Sequence, residues 1–126
     1  MSKRVAIIVS SDAGYRGERE DKSGPEIKRI VEENGYEVVS TVILPDEQEM
    51  LENEMKRIAD ENLAELILTT GGTGFSMRDC MPEATIAVTE RIVPGIPEAM
   101  RAYSMQFTKR AMLSRATAGI RKQTLI

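Results

Sequence analysis

Apolar residues follow two rhythms along this chain. The stretch RVAIIVS, Arg4 to Ser10, is a short unbroken run rich in β-branched residues, the pattern of a strand buried on both faces. YEVVSTVIL and AELILTT read as a second and a third strand. Between them the period becomes helical. SGPEIKRIVEENG places Ser23 three residues before Glu26, Pro25 in the first turn and Asn34-Gly35 at the stop, so Ser23 reads as the start of a capping box. PDEQEMLENEMKRIADEN predicts a second helix with Asp46 as N-cap and Glu49 as its capping-box partner. Met50, Leu51, Met55 and Ile58 fall on one face of that helix. Further helices are predicted from Pro82 and from Pro97 to about Phe107, and TAGIRKQTLI predicts extended chain. The polar, glycine-bearing DAGYRGEREDK reads as a long loop.

The order strand, helix, strand, helix, strand implies right-handed crossovers and an α/β fold: three layers, with a mostly parallel sheet and helices on both faces. With 126 residues and no repeat, low-complexity segment or linker, one domain is expected. Ligands bind such sheets beyond the carboxyl ends of the strands. That directs attention to three loops: residues 10–22, Pro45-Asp46 and Gly71 to Asp79.

Charge and composition narrow the chemistry. The net charge is −3 with acids and bases interleaved, so no basic stripe is available for nucleic acid. No apolar run is long enough to span a bilayer, and the apolar stretch after Met1 is too short for a signal peptide; a cytoplasmic protein without membrane contact is expected. There is one cysteine, Cys80, and no histidine. An internal disulfide, a multi-cysteine zinc site, a Ser-His-Asp triad and histidine acid-base catalysis are excluded. Carboxylates, hydroxyls, Lys and Arg, backbone groups or a borrowed metal must carry any reaction.

The stretch TTGGTGFSMRD, Thr69 to Asp79, offers such groups. Gly71, Gly72 and Gly74 allow backbone N–H groups to face a phosphate or a ring edge without obstruction, and equally allow a plain tight turn. The spacing is neither that of a P-loop nor that of a dinucleotide fingerprint. Asp79 follows the glycines and Asp46 follows the second strand, so both acids are expected at one sheet edge, where two carboxylates plus phosphate oxygens can hold Mg²⁺. On local sequence alone Asp46 reads more simply as a helix cap, worth about 1 kcal/mol. Arg78 reads as a solvated surface residue and Cys80 as a small packed one; Met50, Met55, Met77 and Met81 read as packing residues rather than soft-metal ligands. Tyr15 and Arg16 sit in a loop that is either an exposed tip or a flap over a ligand.

TTGGTGFSMRDCMPEAT, together with LPDEQ, SSDAGYRGEREDKSG and MLSRATAGIRKQTLI, resembles the MogA/MoaB family of molybdenum-cofactor biosynthesis. The likeness runs from Arg4 to the last residue, in the family's motif order. LPDEQ and the Asp21-Lys22 loop are more similar to the MogA type, the molybdopterin adenylyltransferases. The resemblance implies transfer of AMP from ATP to molybdopterin, with Mg²⁺ as cofactor and pyrophosphate as second product. It implies that Asp46 and Asp79 are catalytic and hold the metal. Gly71, Gly72, Thr73 and Gly74 match the nucleotide- and pterin-binding loop, Ser11 and Asp12 the Ser-Asp after the first strand, and Ser114 and Arg115 the Leu-Ser-Arg segment near the ligand. A homotrimer or hexamer is implied, with the molybdenum-insertion protein as a possible partner. The alternative within the family is a MoaB-like non-catalytic molybdopterin-binding protein; outside it stands a flavodoxin-like module for another phosphorylated ligand.

Two departures stand out. Met81 occupies a place where the family has Thr, which removes a helix-capping hydroxyl. The chain stops at Ile126, where the family continues through Asn-Leu-Pro-Gly-x-Pro into a final helix, so residues 1–126 are expected to be one domain lacking that loop and helix.

Overall fold

Alternation of side chains along one strand explains how the sheet is covered on both faces. The computed structural model describes residues 3–126, and in it Arg4–Ser10 forms β1. Val5, Ile7 and Val9 point to one face, where Ile27 and Val31 of helix α2 (Ser23–Glu33) pack on them. Ala6 and Ile8 point to the other, against Leu51, Met55 and Ile58 of α3 (Gln48–Asp60) and Ala84 and Val88 of α4 (Met81–Val88). A strand apolar at every position is therefore buried on both sides.

β2 (Glu37–Leu44) and β3 (Leu66–Thr70) pair in parallel with β1 on its two sides. β2 is an edge strand, and its exposure alternates accordingly. The three-layer reading holds, with an extension. TAGIRKQTLI folds back on itself as a hairpin of β5 (Gly119–Arg121) and β6 (Thr124–Leu125), turning at Lys122 with φ +52°. β6 joins β3 in parallel, and β4 (Arg91–Ile92) closes the far edge antiparallel to β5, giving the order β2-β1-β3-β6-β5-β4. The last long helix, α5, spans Gly95–Ser104, and a 3₁₀ turn follows at Lys109–Leu113.

Several local expectations are corrected. The first loop contains a four-residue helix, α1 (Asp12–Tyr15), because Ser11 accepts a hydrogen bond from Gly14 N–H at 3.0 Å and caps it. Ser23 does not cap α2; the Asp21 carboxylate accepts from the N–H groups of Ser23 and Gly24 at 3.1 and 3.2 Å. Asp46 does not cap α3 either, since the N-cap position falls to Glu47 and carries no side-chain bond. Met50 lies off the buried face of α3, 39% exposed, whereas Leu51, Met55 and Ile58 are in the core. Met81 is the first residue of α4, after Cys80, and its side chain is buried in the core. A hydroxyl there would have no cap to supply, and a large apolar side chain fills the space instead. Among the described residues no helix is long and apolar enough to cross a membrane.

Candidate active site

Freed from capping, Asp46 turns toward β1. Its Oδ1 accepts from Ser10 Oγ at 2.5 Å and its Oδ2 from Asp12 N–H at 3.1 Å. Asp12 returns the contact: its Oδ1 accepts from Asp46 N–H at 2.9 Å. Ser11 N–H also donates to Leu44 C=O at 2.9 Å. The loops that leave β1 and β2 are thus sewn together around one carboxylate. Ser10 was missed from sequence, although a signal existed. Period two puts it on the buried Ala6 and Ile8 face at the carboxyl end of the strand, where a polar side chain needs a partner.

The glycine loop turns back immediately beyond β3. Gly71 has φ +91°, and a Cβ there would sit 2.2 Å from the carbonyl oxygen of Ser10, so only glycine fits. Gly72 has φ +72°, and its C=O accepts from Met81 N–H at 3.1 Å, which ties the loop to the start of α4. Asp79 lies in a turn in which its Oδ2 accepts from Ser76 N–H at 3.1 Å while its own N–H donates to Ser76 C=O at 3.0 Å. Arg115 braces the loop from outside. Its N–H donates to Thr73 C=O at 2.9 Å, and its guanidinium to the C=O groups of Gly74 and Asp79 at 2.7 and 3.1 Å and to Glu83 at 2.6 Å. That carboxylate is held below its ordinary pKa mainly by its bond from Arg115.

The carboxyl ends of β1, β2 and β3 open into a cavity of about 600 Å³. Ser10, Ser11, Asp46, Gly71, Gly72 and Asp79 line it, together with Arg19 and Lys22 from the loop before α2. A second cleft of about 530 Å³, lined by Gly74, Phe75, Met77, Glu83 and Arg115 among others, shares Asp79 with the first. Of the residues selected from sequence, Ser11, Asp46, Gly71, Gly72 and Asp79 meet in the first cavity, and Gly74 and Arg115 in the second. Asp12, Thr73 and Ser114 line neither. Asp12 is engaged with Arg78 and Asp46, which hold its carboxyl down at about 2. Thr73 faces an apolar recess, and Ser114 lies beside α5, where its C=O accepts from Arg101.

Arg78 is no solvated bystander. Its Nε and Nη2 grip Asp12 at 3.0 and 2.9 Å, and Nη2 reaches Glu47 at 3.1 Å. Sequence spacing carries no hint of this pair, which joins positions 66 residues apart. Cys80 is partly buried, and burial, with the Asp46 and Glu83 carboxylates beside it, raises its thiol pKa. It therefore stays protonated at neutral pH, as suits a packed residue rather than a nucleophile.

Among the described residues no cluster of three or more carboxylate, thiol or imidazole groups holds a metal unaided. Mg²⁺ ordinarily needs less, one or two carboxylates completed by substrate phosphates. Asp46 and Asp79 on one cavity fit that requirement. Each Asp46 oxygen accepts one side-chain or backbone hydrogen bond, which leaves lone-pair capacity on both.

The chain is 39% identical over 126 residues to the molybdopterin adenylyltransferase of Escherichia coli K12 and 38% identical over 125 residues to that of Haemophilus influenzae. Each alignment covers 98% of this chain but 64% of the relative, so the chain spans less than two thirds of their length. The crystal structure of the molybdopterin biosynthesis enzyme MoaB from Thermus thermophilus superposes with a TM-score of 0.92 at 42% identity, covering 98% of this chain and 78% of that one. Residues 6–126 match the model of the probable molybdopterin binding domain, and the chain belongs to that family, that of the MogA and MoaB proteins.

Proposed function

We propose that this chain is a molybdopterin adenylyltransferase, which transfers AMP from ATP to molybdopterin in molybdenum-cofactor biosynthesis. The observation that carries this reading is the release of Asp46 from helix capping into a cavity that it shares with Asp79 and the glycine loop. In the reaction a phosphate oxygen of the pterin substrate forms a bond to the α-phosphorus of ATP, the bond to the β-phosphate bridge breaks, and pyrophosphate leaves. Positioning and charge neutralisation dominate such transfers. Asp46 and Asp79 are the carboxylates that would hold Mg²⁺, which when bound with the triphosphate offsets its charge. Gly71 and Gly72 let backbone approach the phosphates closely, and Arg19 and Lys22 line the same cavity beside Glu20 and Asp21, two cations within reach of the triphosphate. Asp79, common to both clefts, stands where a nucleotide in one and a second substrate in the other would meet. Ser11 belongs to the wall of the first cavity and Gly74 and Arg115 to that of the second, Arg115 also bracing the glycine loop, whereas Asp12 joins the loops after β1 and β2.

The reading includes a cytoplasmic protein whose 126 residues act as one domain and assemble as a homotrimer or hexamer. The exposed apolar side chains Met100, Tyr103 and Phe107 on and after α5 offer a contact surface for that assembly, and a molybdenum-insertion protein would take the product. The test is to incubate the protein with molybdopterin, ATP and Mg²⁺ and to measure pyrophosphate and adenylylated pterin. One pyrophosphate per pterin adenylylated is expected. Pterin binding without product would make the chain a binding module, and absence of pterin binding would overturn both readings.

A further inference from the structure

Asp46 does not hold its orientation alone. Its Oδ2 rests on the N–H of Asp12, and its own N–H rests on Asp12 Oδ1. Arg78 grips that same Asp12 carboxylate with two guanidinium nitrogens and touches Glu47, the residue next to Asp46, with one of them. One side chain of the glycine loop thereby fixes the loops after β1 and β2 on either side of Asp46. We propose that Arg78 is a positioning residue for the transfer reaction, acting through Asp12 to orient the Asp46 carboxylate; this rests on the reading of Asp46 as a metal- and phosphate-holding group.

A role in bulk stability does not explain the contact. The Arg78 side chain is 53% exposed, and exposed ion pairs contribute little to folding. The geometry is nonetheless specific. A planar fork meets a carboxylate with two bonds, which a lysine cannot reproduce. Nor does Arg78 line the cavity that holds Asp46, so its influence there passes through the residues it grips.

The test has two arms. In the protein without substrates, amide hydrogen exchange at Asp12 and Asp46 is compared between wild type and Arg78→Gln. Faster exchange at both, with the β1 amides unchanged, is expected; unchanged exchange at Asp12 and Asp46 would overturn the clamp. In the second arm, kcat and equilibrium ATP affinity are measured for wild type, Arg78→Gln, Arg78→Lys and Asp12→Asn, and for Arg78→Gln combined with Asp12→Asn. Removal of a supporting partner of this kind typically costs about 10- to 100-fold, so kcat should fall by at least about 10-fold in Arg78→Gln, with a smaller loss of ATP affinity. Lysine should restore only part of the loss. The double variant should be no worse than Asp12→Asn alone. A loss confined to ATP affinity, or full additivity of the two changes, would overturn positioning through Asp12. Failure of the wild type itself to form adenylylated pterin would instead remove the functional reading and leave the exchange result standing.

Discussion

At the level of single residues, the site depends on one backbone position and one liberated carboxylate. Gly71 combines φ +91° with a Cβ position 2.2 Å from Ser10 C=O, so Gly71→Ala meets both backbone strain and a clash. Strain of this kind costs on the order of 1–3 kcal/mol; a loss of stability of at least about 2 kcal/mol in urea unfolding is expected, and a neutral result would mean that the loop moves freely. The importance of the glycines was legible in the chain, because three in four residues after a buried strand demand a special backbone. The place of Asp46 beside Asp79 at the sheet edge was legible too, but the contact that keeps it from capping α3 was not. Its local sequence fits a helix cap, and what overrides that fit is a bond to Ser10, 36 residues away. Arg78 was misread for the same reason, since its partners Asp12 and Glu47 lie on other loops.

Among the elements, strands were read more accurately than helix beginnings. β1, buried on both faces, leaves a continuous apolar signature, and the β-branched and aliphatic runs of β2 and β3 mark them as strands, so all three were legible to within a residue or two. Helix starts depend on which nearby oxygen wins the free N–H groups. Ser23 has the capping-box spacing, yet the Asp21 carboxylate takes the N–H groups of Ser23 and Gly24. Asp21→Ala should therefore cost about 1 kcal/mol of stability, while Ser23→Ala should change it much less. Thermal unfolding of both variants decides the point, and the reverse ranking would restore Ser23 as the cap. The short strands β4, β5 and β6 escaped separate recognition because two or three residues carry too little periodicity, and only their pairing defines them.

Across the whole molecule, the hairpin that extends the sheet is tied to the helical layer by charge. Asp60, the last residue of α3, accepts from Arg121 Nε and Nη2 at 2.9 and 3.0 Å and lies 3.2 Å from Lys122 Nζ. The Arg121 guanidinium, first, and then Lys122, hold the Asp60 carboxyl at about 2 against an ordinary 3.8, although the loss of hydration partly opposes them. A carboxyl depressed by folding contributes stability that is present above its unfolded pKa and lost as the pH falls through its folded one. The difference in urea midpoint between wild type and Asp60→Asn should therefore be full at about pH 5 and shrink toward zero as the pH approaches about 2. A difference independent of pH would show that the pair is not what stabilises the junction. The three-layer arrangement was legible from the alternation of elements alone, because apolar faces must be covered. The joining of the three loops was not, since it is made by side chains that meet only once the sheet has formed.

In the proposed transfer Asp79 serves the chemistry rather than substrate binding. The most direct measurement follows ATP labelled at its α-phosphorus, mixed with molybdopterin and Mg²⁺, in wild type and Asp79→Ala. The label should appear on the pterin in the wild type. In the variant it should appear about 100-fold more slowly or less, as befits loss of a group that acts on transition-state charge, while pterin binding persists. Label that stays with ATP in a wild type carrying both substrates would overturn the proposed transfer, and equal transfer by the variant would overturn the role of Asp79.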